Sequence, residues 1–257
     1  MPNCRDCGYK IVAHMMPGLP GSTPESDIKG FKTLLEDNSY KPDMLKIYPT
    51  LVLKNTGLYK LYMNKKYHPY TEEEIVNILF EVKKLIPPWV RIMRIQREIE
   101  TSDIIAGSKQ GNLRQIAIKK LKDFGVKCNC IRCREAGLQK LENLNTYEIT
   151  LNRIDYLASE GKEVFLSMEN KDKNLLFGFL RLRNIPVSHR KELLDANNRN
   201  SAIIRELHVY GQVVDVGQKK GSSSFQHGGL GLRLMEEAEK ISKDEFQVDS
   251  LSVISAI

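Results

Sequence analysis

Three cysteines stand within six residues, Cys128-Asn129-Cys130-Ile131-Arg132-Cys133. The Cys-x-Cys-x2-Cys spacing lets three thiolates reach one ion from a single turn. Zinc takes such ligands tetrahedrally, and a fourth Cys or His usually closes a structural site. No fourth ligand stands in the cluster; His14 and His68 are candidates, with a carboxylate or water as alternatives. The spacing predicts a structural zinc clip rather than a redox cluster, against the bland alternative of three reduced thiols on a basic loop. Cys4-x2-Cys7 reads as two ordinary cysteines on a helix before a strand, because no second pair accompanies it.

A second motif is Gln226-His227-Gly228-Gly229-Leu230-Gly231, of the form Gln-x-x-Gly-x-Gly, at a loop feeding a helix. Free N–H groups and the helix dipole at such an N-terminus bind a pyrophosphate, and glycines allow close backbone approach. The strand before it, Ala202–Tyr210, would then lie beside a pantetheine arm. The plain alternative is a glycine-rich helix cap.

The charge is also focused. Residues 109–140 hold nine basic side chains against two acids, an excess equal to the chain's whole net charge of +7. Such a segment is the electrostatic footprint of a polyanion, most often nucleic acid, or else a solvated lysine-rich helix face.

These groups need elements to position them. Residues 9–16 read as a buried strand, followed by the punctuated loop Pro17–Ser22. Pro24 opens a helix to about Glu36, and Asp43–Tyr48 is a strand. Thr71 caps a helix with apolar residues at helical spacing from Ile75 to Ile86, and Val90–Ile95 is a third strand. The alternation predicts a parallel sheet, with function on loops after strands, here Pro17–Ser22 and Gln96-Arg97-Glu98. Three strands are too few to close a barrel. Asn112–Phe124 reads as a helix with Gly125 at its C-terminal cap. From 145 onward the pattern is mixed α+β: strands at 147–156, 164–170, 174–183, 202–210 and 251–257, and an amphipathic helix at 229–246 with Leu230, Leu234, Ala238 and Ile241 on one face.

The chain has 257 residues, 41% hydrophobic and 28% charged, an ordinary globular balance that excludes disordered, collagenous and disulfide-scaffold classes. No apolar run is long enough for a membrane helix, and Met1–Cys7 shows no secretory h-region. A cytoplasmic protein with reduced cysteines and no membrane partner is expected.

The strand Arg205–Tyr210, the Gln-x-x-Gly-x-Gly loop, Leu234–Lys240 and Leu251–Ser255 together resemble a GNAT acetyltransferase. With His14–Ser22, Pro42–Pro49, Arg91–Arg97 and Cys128–Glu135, the chain resembles the catalytic-subunit family of Elongator in an archaeal-like form. That family joins a radical-SAM domain to a GNAT domain through a metal-binding linker and modifies the wobble uridine of tRNA at C5. The resemblance implies an α/β fold. Residues 1–108 would be the C-terminal part of a partial TIM-like radical-SAM barrel. Residues 109–144 would be a basic, metal-binding linker, and 145–257 a mixed α+β acetyltransferase domain incomplete at its C-terminus.

It further implies acetyl-CoA against Glu206, Leu207, His208, Val209, Gln226, His227, Gly228, Gly229, Leu230 and Gly231. His208 would help polarise the thioester, unless it is a satisfied core histidine. Zinc would sit at Cys128, Cys130 and Cys133. The tRNA would lie against Arg91, Arg94, Arg97, Lys109, Arg114, Lys119, Lys120, Lys127, Arg132 and Arg134. S-adenosyl-L-methionine and a [4Fe–4S] cluster are implied too. The family's Cys-x3-Cys-x2-Cys cluster motif is absent from the sequence, so its ligands are expected upstream and the chain is expected to be a fragment. Elongator-type accessory subunits or a homodimer are further expected partners. A protein lysine acetyltransferase and a non-catalytic tRNA-binding module are the competing readings.

Overall fold

The computed structural model describes residues 1–139, 147–185, 201–210, 229–248 and 250–254. In chain order its elements are α1 (Pro2–Asp6), β1 (Val12–Met15), α2 (Pro24–Glu36), β2 (Met44–Ile47), β3 (Val52–Leu53), α3 (Gly57–Met63), α4 (Glu72–Leu85), β4 (Arg91–Ile95), β5 (Ile104–Ala106), α5 (Leu113–Asp123), α6 (Ile131–Arg134), β6 (Ile149–Ala158), β7 (Gly161–Asn170), β8 (Leu176–Ile185), β9 (Ser201–Val209), α7 (Leu230–Asp244) and β10 (Leu251–Val253). They form two units. A helix–sheet unit comprises Val12–Asp37 and Pro42–Cys133; a sheet unit comprises Met1–Ile11, Asn38–Lys41 and Arg134–Ile257. Among the described residues no helix is long and apolar enough to cross a membrane.

The helix–sheet unit is built on a parallel sheet of order β1-β2-β4, open as the strand count predicts. Thr23 and Thr71 close capping boxes with Ser26 and Glu74, which is why α2 and α4 start where the sequence places them. Helix α5 ends in a Schellman turn: Gly125, at φ 67°, donates to Lys122 O while Val126 donates to Leu121 O. The core joins Phe31, Leu35, Ile75, Leu79 and Val82 from the helices to Leu45, Ile47, Ile92 and Ile95 from the strands. Successive strand residues point to opposite faces. His14, Lys46 and Arg94, paired in register across the three strands, therefore alternate with these core residues. The loop after β1 is pinned by Asp27 accepting from Gly18 N at 2.8 Å and by Tyr67 Oη donating to Gly18 O at 2.6 Å.

Tyr70 Oη also meets Asp27, at 2.8 Å, and its phenol is pushed up to about 12, first by burial. The folded state thus keeps this proton where the unfolded chain, near pH 10, has lost it. Stability from Tyr70 is complete below about pH 10 and falls as pH rises toward 12. Burial raises Tyr67 as well, so an ultraviolet titration should show a late-ionising fraction that Tyr70→Phe reduces but does not abolish.

The sheet unit has order β10-β9-β8-β7-β6, antiparallel from β6 to β9 and parallel between β9 and β10. Helix α7 buries Leu230, Leu234, Ala238 and Ile241, the face read from sequence, against Val164, Leu166, Leu180 and Ile204. Gly161 opens β7 because any Cβ there would stand 2.5 Å from the Arg183 guanidinium. That guanidinium belongs to a buried charge network. Both Glu163 oxygens are used: Oε1 by Arg5 at 3.3 Å and Arg183 at 3.0 Å, Oε2 by Arg205 at 2.7 Å. Asp6 takes Arg183 Nε at 2.7 Å, and Arg5 Nη2 reaches Tyr40 O and Lys41 O at 3.1 and 2.5 Å.

Several expectations shift. The first strand is shorter than 9–16, and residues up to Ile11 belong to the sheet unit. Residues 109–133, read as part of a linker, pack into the helix–sheet unit, because Leu113, Ala117 and Cys130 enter its core. Cys4 lies in α1 and Cys7 caps it, both free. Gln226, His227 and Gly228, and residues 255–257 of the last predicted strand, lie outside the described residues.

Candidate cofactor and metal sites

The first candidate site is a sheet edge. Strand β9 pairs with β10 at Ala202, Ile203 and Ile204, then runs on to Val209. Its ladder with β8 shifts register between Arg181 and Leu182, opposite Arg205. A bulge bends a strand and increases its twist. The bulge is held by Arg205, whose guanidinium meets Glu163 and, at 3.0 Å, Tyr9 O. Past it, Glu206 pairs with Arg181 at 2.8 Å, Leu207 and His208 are exposed, and Val209 is half-buried. His208 is therefore not a core histidine; its ring lies 4.5 Å from that of Tyr210 and 6.1 Å from that of Phe179.

Helix α7 starts beside this edge. Gly229 caps it in the left-handed conformation with no side-chain cap, and no acidic residue stands in its first turn. A Cβ on Gly231 would sit 3.5 Å from a Val209 methyl. N–H groups at the positive end of a fifteen-residue helix with no side-chain cap, next to the end of β9, suit an anionic ligand lying along the strand. Gly231, in the first turn of α7, thus stands against Val209 at the end of β9.

The second site is the cysteine cluster. The Sγ atoms of Cys128, Cys130 and Cys133 all lie within 4.8 Å of one another, and they are the group among the described residues able to hold a metal ion. His14 and His68 do not join it: both are exposed, and His14 stands edge-on to Tyr48 at 5.6 Å. Hydrogen bonds from the Cys128 and Cys133 thiols hold Cys130 well below the ordinary thiol range. Cys128 is pushed up by its bond to Cys130 and by burial. Cys133 also rises; its bond with Cys128 works against the rise, and its bond to Cys130 and burial outweigh it. Two thiols poised around a third, buried sulfur of lowered pKa are a ligand set for a single soft divalent ion. A [4Fe–4S] cubane, which puts each thiolate on a different iron, needs its sulfurs farther apart. Two basic side chains face the cluster: Lys83, which the sequence reading does not single out, and Arg114, which it places on tRNA. Lys83 Nζ lies 3.7 Å from Cys128 Sγ and from Cys133 Sγ. Arg114, lowered by burial and supported by the cysteines' charge, donates to Ile92 O at 3.1 Å.

The third is a cavity of about 590 Å³ in the helix–sheet unit, beyond the ends of β2 and β4. Pro49, Gln96, Arg97, Glu98 and Lys109 line it. Gln96 follows β4 at φ 72°, and its Oε1 is buried with no partner. The loop after β4 thus carries a cavity, as the parallel sheet predicts, whereas Pro17–Ser22 does not line it. Of the basic residues, Arg94, Arg97, Lys109, Lys119 and Lys127 are exposed; Arg91, Arg132 and Lys120 are half-buried, Lys120 beside Asn77 and Phe80. Arg134 is buried and bound to Glu169 at 2.7 Å, and Arg114 is turned to the cysteines, so neither presents its charge at the surface.

A family model described as Radical_SAM C-terminal domain matches residues 42–123. Elongator complex protein 3 of Danio rerio is 43% identical over 255 residues, covering 98% of this chain and 46% of the relative. The tRNA uridine(34) acetyltransferase of Methanocaldococcus jannaschii is 43% identical over 256 residues, covering 98% and 47%. The solved structure of archaeal Methanocaldococcus infernus Elp3 with an N-terminal deletion (1–46) superposes with a TM-score of 0.87 at 38% identity, covering 98% of this chain and 59% of that one. The chain spans about half the length of the curated relatives it matches. Over nearly its whole length, therefore, the chain belongs with the Elongator complex protein 3 family.

Proposed function

We propose that this chain serves C5 modification of the tRNA wobble uridine, its sheet unit being the acetyl-CoA-binding part and its helix–sheet unit the radical-SAM part. The observation that carries the reading is the end of β9 past its bulge, beside the glycine-led start of α7. There the N–H groups at Gly229–Gly231 hold the pyrophosphate and the main chain of Glu206–Val209 holds the pantetheine arm, joined by Gln226, His227 and Gly228. His208, exposed beside Tyr210, is the polar side chain for the thioester. Acetyl-CoA supplies the acetyl group. S-adenosylmethionine with a [4Fe–4S] cluster supplies radical chemistry in the family. This sequence offers no motif for that cluster, while the cavity at Gln96, with its unpaired buried acceptor, suits a nucleoside donor.

Cys128, Cys130 and Cys133 hold a structural zinc. The exposed cations Arg94, Arg97, Lys109, Lys119 and Lys127, with Arg91, Lys120 and Arg132, face tRNA phosphates; Elongator-type accessory subunits belong to the same proposal. Affinity for tRNA should then fall linearly on a log–log salt plot, and each removed contact should lower the slope by roughly 0.7–0.9. The deciding experiment follows acetyl-CoA hydrolysis. Stimulation by tRNA and not by basic peptides supports the reading. Stimulation by peptides alone points to a lysine acetyltransferase. Salt-sensitive tRNA binding with no hydrolysis points to a non-catalytic tRNA-binding module.

A further inference from the structure

We propose that Lys83 is the fourth ligand of the metal site, its Nζ completing a three-sulfur, one-nitrogen tetrahedron with Cys128, Cys130 and Cys133. The inference rests on the metal reading above and goes beyond it by closing the coordination shell from inside helix α4.

Burial is the first argument. Lys83 is 0% exposed. Lysines are almost never fully buried unless paired, because losing hydration around the ammonium costs several kcal/mol. Among the described residues no carboxylate pairs with Lys83; its hydrogen-bond partners are Cys128 Sγ and Cys133 Sγ, each at 3.7 Å. A side chain set at this depth among thiols has its natural function as a donor of electrons to whatever the thiols hold.

Spacing is the second. Zinc–sulfur bonds of about 2.3 Å and zinc–nitrogen bonds of about 2.0 Å at tetrahedral angles put sulfur and nitrogen about 3.5 Å apart. The 3.7 Å from Nζ to two of the sulfurs is close to that spacing, so a small inward shift would bring the nitrogen to an ion held by the thiolates. No His, Cys, Asp or Glu among the described residues competes for the place.

Charge is the third. Three thiolates, a divalent ion and a neutral amine carry one net negative charge. Arg114, partly buried from α5 and in the field of all three cysteines, supplies the compensating positive charge. On binding, Nζ releases one proton to solvent and gives its lone pair to the metal; no oxidation state changes. Position is the fourth. Lys83 projects from a fourteen-residue helix whose neighbouring Val82 and Leu79 are in the core, so the donor is held in place before metal arrives.

The test uses the intact chain loaded with cobalt(II), whose ligand-field absorption reports coordination, and with zinc in competition against a chelator. Lys83→Met removes the donor. Lys83→Arg keeps the positive charge but offers no lone pair. Both variants should shift the cobalt bands and weaken zinc by at least about tenfold. In cadmium-loaded wild type carrying nitrogen-labelled lysine, one lysine Nζ should show scalar coupling to the metal, a readout independent of variant folding. Wild-type affinity and bands in Lys83→Arg, with loss in Lys83→Met, would make Lys83 a charge partner only and overturn the assignment. Unchanged bands in both variants, or no cadmium–lysine coupling, would overturn it as well. A wild-type chain that takes up neither cobalt nor zinc overturns the metal reading itself and the ligand with it.

Discussion

Replacing Glu163 by alanine should destabilise the sheet unit by about 3–5 kcal/mol, the usual cost of leaving buried charges without their partner. Its two oxygens bind three arginines, and Glu163, Arg5 and Arg205 have no exposed side-chain surface. Without the carboxylate, those guanidinium groups face one another across a dry interior. The melting temperature should fall by roughly 10 °C. Because Arg205 sits at the bulge of β9, directly before the proposed pantetheine-binding residues Glu206–Val209, acetyl-CoA affinity should fall with it. The contrast is Arg153→Ala, which breaks an exposed pair with Glu245 and should change stability by less than about 1 kcal/mol. Equal losses in the two variants, measured by denaturant titration, would remove the network from its place as the organiser of the sheet.

Chelation should be nearly as costly to the helix–sheet unit. Cys130 lies in that unit's core, and the next residue, Ile131, donates to Val90 O at 3.0 Å, tying the cysteine turn to the entrance of β4. An ion that binds the folded cluster and not the unfolded chain stabilises it by about 4 kcal/mol when present at 1,000 times its dissociation constant. Thermal unfolding in zinc against chelator should show that gap, and Cys130→Ser should abolish it. A melting temperature indifferent to zinc would remove the structural role of the ion.

The sequence legible at short range became structure where local chemistry decides. Thr23 and Thr71 start helices by bonding their own N3 residues, and Gly125 ends one by adopting positive φ. The apolar stripe of α7 and the alternating faces of the strands are likewise written in adjacent residues. What escaped was set by distance along the chain. Strands β3 and β5 have two and three residues, too few to display a period. Helix α3, Gly57–Met63, buries none of its residues, so it has no apolar face to read. Arg134 sits in a basic run and looks like its neighbours, yet Glu169, thirty-five residues on, takes it inside. Lys83 stands between Val82 and Lys84 and reads as a solvated lysine; only the cysteines, forty-five and fifty residues away, explain its burial. The glycine-led start of α7 was legible because a helix cap is local. The bulge at Arg205 was not, because it depends on a ladder with another strand.

The charge network also orders events in time. Arg5 and Asp6 emerge from a ribosome long before Glu163 and Arg183, their partners 158 and 177 residues later in the chain. During synthesis the Arg5–Asp6 segment must stay unsatisfied, in water, while the helix–sheet unit, Val12–Asp37 and Pro42–Cys133, is made and can fold. The sheet unit can close only afterwards, by capturing a segment already waiting. A polypeptide starting at Arg134 would contain every strand of that sheet and still lack part of its interior, so its boundary in sequence and its boundary as a folding unit are different things.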